Sequence, residues 1–539
     1  MNLTRWASAL FAVLPAASLH GAETLEARIE AVLKTPGYQS GHWGLLVVDV
    51  KTGKTVYERN ADQLFCPASV TKVFSAAAAL AELGADYRFE TPVVRRGTID
   101  DSGTLRGDLI LVGRGDLCLG GRTGPDGSLV FVDDDHTYAG GNPRSNVVAG
   151  DPLAGLDHLA REVFTSGVKV VEGEVLVDDR LFEPAHGTGS GPTRISPVVV
   201  NDNVVDVIAT PAPQAGEPAD VRLVPGTAFV VADVDVMTVV GSEPATLEVR
   251  PAGPRRFSVR GKVPVGHAPT VRIYEIEDPA SFARTLFIET LRKRGVRVEA
   301  SSVSDNPPQS RLPARGTVAG LPKVAEYTSP PFREYLRVIL KVSHNLHAST
   351  LPLLIAAHHG EVTLTQGLAR EGALLKGLGV APESVSFGGG AGGSRSDLVT
   401  PRATVTLLRS LAVRPDFPAF EAALPVLGRD GTLARSVTHD SPARGHVRAK
   451  TGTFWVENGL DGKSVLTSKA LAGYMETAKG RTLVFAIFVN NVPLDASGSK
   501  AYDATAAAGR LLGKLCEGFY ADEGADARPR DAGEGDPPR

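Results

Sequence analysis

Cys66-Pro67-Ala68-Ser69-Val70-Thr71-Lys72, continued by Val73-Phe74-Ser75 and the run Ala76 to Leu80, is the stretch on which the rest of the chain converges. The alanine-rich run is a strong helix former. Pro67 and Ala68 lead into it, and Gly84 stands where a helix ends on a left-handed residue. Ser69 and Lys72 are three apart and share one face of the first turn. A serine hydroxyl becomes a nucleophile when a base takes its proton, and a lysine one turn on is such a base if its surroundings keep it neutral. Free N–H groups and the positive dipole end at a helix start suit a developing oxyanion. Four residues alone carry little weight, because a surface helix start with a chance Ser-x-x-Lys reads the same way. The partners decide.

At 539 residues the chain has room for about three or four domains of roughly 150 residues each. Hydrophobic content of 42% and charged content of 22% are those of a globular protein with real cores. A net charge of −4 gives no electrostatic case for nucleic acid binding. Residues 1–22 read as a secretory signal peptide: Arg5 supplies the positive charge, Trp6 to Leu19 is apolar, and small residues follow near Ala22. No later apolar run is long enough to span a bilayer, so no transmembrane segment is expected in the mature protein. The cysteines Cys66, Cys118 and Cys516 are too few for a disulfide framework, and pairing of Cys66 with Cys118 is left open.

Along the chain, His42–Val50 and Thr55–Asn60 read as strands joined by a turn containing Gly53. After the Ser69 helix, Thr91–Gly97 and Leu105–Val112 alternate as strands, and Gly120–Asn142 reads as an exposed loop. A helix–strand unit at Leu153–Asp178 returns at Asp278–Val298, split by a Val-, Pro- and Gly-rich piece that looks all-β. Helices come back from Pro331. Lys450 begins a strand, Lys469–Thr477 and Arg481–Asn490 pair, and Ser499–Phe519 is the last helix. The economical architecture is one α/β domain built from both termini around a five-stranded antiparallel sheet, with a long insertion after the Ser69 helix.

Two partners for Ser69 emerge. Ser343-His344-Asn345 lies between two helices, where a hydroxyl and an amide on one tight turn can relay a proton and bind a substrate amide. Lys450-Thr451-Gly452-Thr453 opens a strand, and Gly452 removes a side chain so that another backbone can approach the edge. Both patterns have decoys. Lys51-Thr52-Gly53 lies in a hairpin turn, and Ser304-Asp305-Asn306 runs into Pro307-Pro308. Ser-x-x-Lys, Ser-x-Asn and Lys-Thr-Gly in that order, each in a fitting element, mark the penicillin-binding serine enzymes.

The chain resembles the class C low-molecular-mass penicillin-binding proteins, the serine D-alanyl-D-alanine carboxypeptidase/endopeptidase family, over about residues 30 to 519. The likeness extends to Gly107–Gly113, Val200-Asn201-Asp202-Asn203, Leu424-Pro425-Val426 and Phe488-Val489-Asn490. The spacing of 343 − 69 = 274 residues fits that family's two inserted domains.

The resemblance implies an α/β fold: a transpeptidase/β-lactamase-like domain with a helical subdomain (23–92 and 324–519), an inserted α+β domain (93–203 and 272–323), a nested β domain (204–271) and a disordered tail (520–539). It implies an exported, periplasmic hydrolase of the D-Ala-D-Ala bond or of D-Ala–diamino acid cross-links in peptidoglycan stem peptides, inhibited by β-lactams and using no cofactor or metal. By carry-over, Ser69 is acylated, Lys72 is its base, and Ser343 and Asn345 shuttle the proton and hold the peptide. Lys450 and Thr451 anchor the carboxylate, backbone N–H groups of Ser69 and Thr453 form the oxyanion hole beside Gly452, and Asp178 meets the amino end of the diamino acid.

The chain departs from the family pattern at Gly388–Gly393, where an Asp-Gly-Ser-Gly-Leu-Ser-Arg segment is usual, and at His344. His344, His347, His358 and His359 lack the His-Glu-x-x-His spacing of a zinc site. The competing readings are a β-lactamase or esterase on the same core and a non-catalytic wall-binding protein.

Overall fold

The computed structural model describes residues 24–140 and 145–521. The expected signal peptide and residues 522–539 of the expected tail lie outside the described residues. The central sheet is antiparallel, in the order Val447–Glu457, Ser464–Glu476, Thr482–Pro493, His42–Asp49, Thr55–Arg59. Both ends of the chain therefore build it, as the sequence predicts. Trp43–Val48 reads as a continuous apolar run because helices cover both faces of the strand. On one side Leu45, Val47, Phe485 and Ile487 meet Leu512, Leu515 and Phe519 of the last helix. On the other, Leu46, Val48, Ala486 and Phe488 join Phe74, Leu336 and Leu408. Gly44 makes room for this second layer, since a Cβ there would lie 2.3 Å from the Phe65 ring.

The helix Thr71–Leu83 runs through the middle of the helical layer and is buried from Thr71 to Leu80. The four consecutive alanines Ala76 to Ala79 have no exposed surface. The run chosen by helix propensity is thus also a packing choice, because small side chains let Phe332–Lys341, Asn345–His358 and Leu364–Gly377 close around it.

The insertion leaves the core on Glu90–Ile99 and returns on Lys323–Thr328, and these two strands pair antiparallel. The two helix–strand units seen in the sequence face one another. Val170–Val171 and Arg297–Val298 pair in parallel, and Ala154–Thr165 packs on Pro279–Lys293 through Leu156, Leu159, Val163, Leu286 and Leu291. Asp278 caps the second helix by accepting from Ser281 N at 3.1 Å. Residues 204–275 form two three-stranded sheets. Val204–Thr210 is central in one and Arg256–Pro264 in the other.

Of the Gly120–Asn142 stretch, the described part up to residue 138 is not the exposed loop expected. Arg122, Leu129, Asp135, His136 and Thr137 are buried. Asp135 accepts from Thr137 N and from Asn345 N, and just upstream Asp116 accepts from Cys118 N and Leu119 N, so these buried N–H groups are satisfied by carboxylates. Cys66 and Cys118 are both free thiols, which closes the pairing question.

Candidate active site

Ser69 sits in a short 3-10 turn, Ala68–Val70, which runs straight into the Thr71–Leu83 helix. The turn is pinned to the sheet: Asn490 accepts from Cys66 N at 2.8 Å, and Ser468 Oγ donates to Cys66 O at 2.7 Å. Cys66 thus serves through its peptide groups, while burial pushes its thiol pKa up. Gly452 lets the edge strand press against the turn, because a Cβ there would lie 2.3 Å from Pro67 O.

Lys72 has no exposed surface, and its Nζ donates to Ser69 Oγ at 2.8 Å, Asn345 Oδ1 at 2.7 Å and Ala391 O at 2.7 Å. Burial pulls the ammonium down to about 7, against the upward pull of Asp135 and Asp397. A neutral amine at that point keeps two donors for Asn345 and Ala391 and turns its lone pair to the Ser69 hydroxyl. That is the state a general base needs.

Ser343 lies between Phe332–Lys341 and Asn345–His358 with φ of 65°, the left-handed region. Lys450, fully buried, donates from Nζ to Ser343 Oγ at 2.9 Å and to Thr451 O at 2.7 Å. Burial holds its pKa well below the usual lysine range, helped by repulsion from Lys72 and Lys469. Ser69, Lys72, Ser343, Asn345, Lys450 and Thr451 are therefore brought together. The decoy Lys51-Thr52-Gly53 stays in its hairpin, where Thr52 binds Asp49.

Ser69, Ser343, Thr451 and Thr453 line a cavity of about 160 Å³ together with Tyr138 and Lys469. It continues past Thr432 and Lys469 into a second of about 430 Å³ walled by Asp133, Asp134, Arg435 and Tyr502. Another cavity, of about 710 Å³, is lined by Arg88, Val112 and Leu321 and holds none of the predicted residues. The predicted Asp178 is not brought to the cleft either. It lies on Val175–Asp178, and Arg180 grips both its oxygens, at 2.8 and 2.9 Å. The acids of the adjoining cavity are Asp133 and Asp134, in the stretch expected to be an exposed loop, and Asp503 of the last helix. Tyr138 and Ser190 O accept from Asn345 Nδ2 at 3.2 and 3.1 Å, and Lys469 donates to Thr453 Oγ1 at 2.9 Å. No motif in the sequence flagged these residues.

The unusual Gly388–Gly393 segment forms the wall behind Lys72. Ser75 donates to Gly390 O and Lys72 to Ala391 O. Its glycines are close approaches: a Cβ would lie 2.1 Å from Ala348 O at Gly390 and 2.0 Å from Ala68 O at Gly392. The carboxylate missing at the segment's start is supplied from its far end, since Asp397 accepts from Gly388 N and Ser394 N, both at 2.8 Å.

Asp202, His344 and His347 are grouped closely enough to hold a cation. The Arg122 guanidinium already engages the same carboxylate, which places a positive charge where a metal would sit. His358 and His359 lie apart from them, beside Glu82.

Residues 25–511 match the D-Ala-D-Ala carboxypeptidase 3 (S13) family. The chain belongs to that family. It is 32% identical over 501 residues to a D-alanyl-D-alanine carboxypeptidase of Actinomadura sp. (strain R39), a match covering 88% of this chain and 82% of that one. It is 23% identical over 465 residues to the D-alanyl-D-alanine carboxypeptidase DacB of Haemophilus influenzae, covering 83% and 85%. The fold is that of penicillin binding protein 4 from Haemophilus influenzae, with a TM-score of 0.65 at 21% identity over 91% of this chain and 99% of that one. The S13 member described here is accordingly a serine carboxypeptidase of the DD-peptidase kind. No described helix is long and apolar enough to cross a membrane.

Proposed function

We propose that this S13 enzyme is an exported DD-peptidase that cleaves the terminal D-Ala-D-Ala bond, D-Ala–diamino acid cross-links, or both, in peptidoglycan through an acyl-enzyme on Ser69. The observation that carries the reading is Lys72 Nζ, buried and desolvated, 2.8 Å from Ser69 Oγ. Lys72 takes the proton as Ser69 attacks, and Ser343, bonded to Lys450, returns it to the leaving amine. Asn345 holds the peptide. Lys450 and Thr451 receive the terminal carboxylate, a charge-assisted contact. The N–H groups of Ser69 and Thr453 face the developing oxyanion, a contribution of roughly 3 kcal/mol per donor. The acidic end of the cleft, Asp133 and Asp134, supports recognition of the ammonium on the stem-peptide diamino acid. β-Lactams acylate the same serine. A penicillin-binding protein 4 structure of the same fold was solved with a β-lactam.

The test is incubation of the protein lacking residues 1–22 with labelled penicillin. A stable adduct on Ser69, absent from Ser69→Ala, is expected. Absence of the adduct refutes the reading, and rapid release of hydrolysed penicillin points to a β-lactamase. Purified muropeptides then divide carboxypeptidase from endopeptidase action.

A further inference from the structure

The Ser343-His344-Asn345 turn is gripped from behind by the inserted domain. Asn201, Asp202 and Asn203 are three consecutive left-handed residues, with φ of 50°, 52° and 55°. Asn and Asp are the side chains that tolerate this conformation best, and such backbone is kept only where its surroundings enforce it. The turn delivers the Asp202 carboxylate, 1% exposed, to the underside of the catalytic turn. Four donors converge there. His347 Nε2 reaches Oδ1 at 2.9 Å. His136 Nδ1, at 2.7 Å, His344 Nε2, at 3.2 Å, and Arg122 reach Oδ2. His136 also binds Asp206 at 2.5 Å. His344 turns its other nitrogen to the first turn of its own helix, accepting from His347 N at 3.4 Å. Its ring stacks on His347 with centroids 3.7 Å apart. Asp135 accepts from Asn345 N at 2.9 Å.

We propose that Asp202 is a positioning residue for acylation, acting through His344 to fix Ser343 and Asn345 against Lys72 and Lys450. This gives the variant middle residue of Ser-x-Asn a purpose. His344 is the rod between the inserted domain and the catalytic turn, and the insertion completes the site rather than merely bordering it. An aspartate or other short residue in place of His344 would not span the gap to Asp202. The left-handed backbone of Ser343 is the part that needs holding, since a serine has no intrinsic preference for it.

The proposal rests on the roles given to Ser343 and Asn345, and the experiment separates the two. Acylation by a chromogenic β-lactam is followed by stopped flow in Ser343→Ala, Asp202→Asn, His344→Asn and the double variant, with the folded fraction measured by near-ultraviolet circular dichroism. The expected result is a loss of at least tenfold in the acylation rate constant per folded molecule for Asp202→Asn and for His344→Asn, with β-lactam dissociation constants within twofold of the parent. The double variant loses no more than the worse single one, because both act in one link. If Asp202→Asn fails to fold, His344→Asn decides alone, as asparagine keeps a helix-capping acceptor but cannot reach Asp202. Rates within twofold of the parent in the folded singles, or losses that multiply in the double, overturn the proposal. A parent-like rate in Ser343→Ala instead refutes the roles on which it rests.

Discussion

Lys450 donates to Ser343 across 107 positions of sequence, Nζ to Oγ at 2.9 Å, and both residues are buried. Among the described residues no carboxylate lies against Lys450 and burial disfavours its charge, so a substrate carboxylate arriving there would supply the counter-charge that favours the ammonium. Lys450→Ala is expected to slow acylation by a carboxylate-bearing penicillin tenfold to a hundredfold, which is the worth of about 1.5–3 kcal/mol in a hydrogen bond to a charged group. The same penicillin with its carboxylate esterified should lose at most threefold. Equal losses for both compounds, measured as second-order acylation rates, would refute the carboxylate role.

In the proposed mechanism Lys72 is the base in its neutral form, and burial pulls its pKa down to about 7. The acylation rate should therefore rise with pH through about 7 and level off above it. Lys72→Arg, charged at every accessible pH, should lose at least a hundredfold. The measurement is a pH–rate profile with a chromogenic β-lactam, and a flat profile between pH 5.5 and 8.5 would remove Lys72 from the base role.

Asp397 clamps both ends of the glycine wall and attracts the Lys72 ammonium. Removing its charge leaves Lys72 less supported as a cation, so the rise in acylation should move to lower pH in Asp397→Asn. The loss of one good acceptor for a buried N–H should cost about 1–3 kcal/mol of stability. The same pH–rate profile, with denaturant unfolding alongside, checks both. An unmoved profile would break the link to Lys72.

Glu371 is buried with neither carboxyl oxygen bonded, and burial raises its pKa to about 8. In the unfolded chain it loses its proton near 4.5, so between those values the folded state binds more protons and stability falls as pH rises. Glu371→Gln removes that fall. Its advantage over the parent should grow from about pH 4.5 to pH 8, reaching on the order of 4 kcal/mol. Unfolding curves at several pH values test this, and a pH-independent difference would contradict it.

Asp133 and Asp134, at the far end of the cleft, should matter to peptides and not to penicillins. Asp133→Asn and Asp134→Asn are expected to raise KM severalfold for a stem peptide with a free diamino acid amine, and to leave penicillin acylation unchanged. Asp178→Asn should alter neither, because Arg180 occupies it. A KM effect confined to Asp178→Asn would restore the sequence-based assignment.

The five sheet strands and the Ser69 helix were legible because each carries its signal locally: alternating or continuous apolar runs, a glycine turn, an alanine run. The three motifs were legible because short spacing fixes which side chains share a face. Tyr138, Ser190, Asp135 and Asp397 were not, because each reaches the site across more than one element and carries no periodic pattern. The stretch from Gly120 misled for a definite reason. Its glycines and aspartates resemble a solvated loop, yet Asp135 accepts the N–H groups of Thr137 and Asn345 and is itself buried. Asp178 misled because a carboxylate beside a motif-like strand says nothing of the arginine two residues on.

The outer edge of Val447–Glu457 is covered at its start, where Leu427 N donates to Val447 O and Ala449 N to Pro425 O; among the described residues no strand pairs with the rest of it. An unpaired edge is a template for stray chains as well as for a substrate backbone. Here the Ala68–Val70 turn and the Tyr138 loop crowd it, leaving a slot rather than a face. The insertion is thus also insulation. A chain trimmed of residues 93–323 is therefore expected to expose more of that edge to its own copies, which sedimentation at rising protein concentration checks.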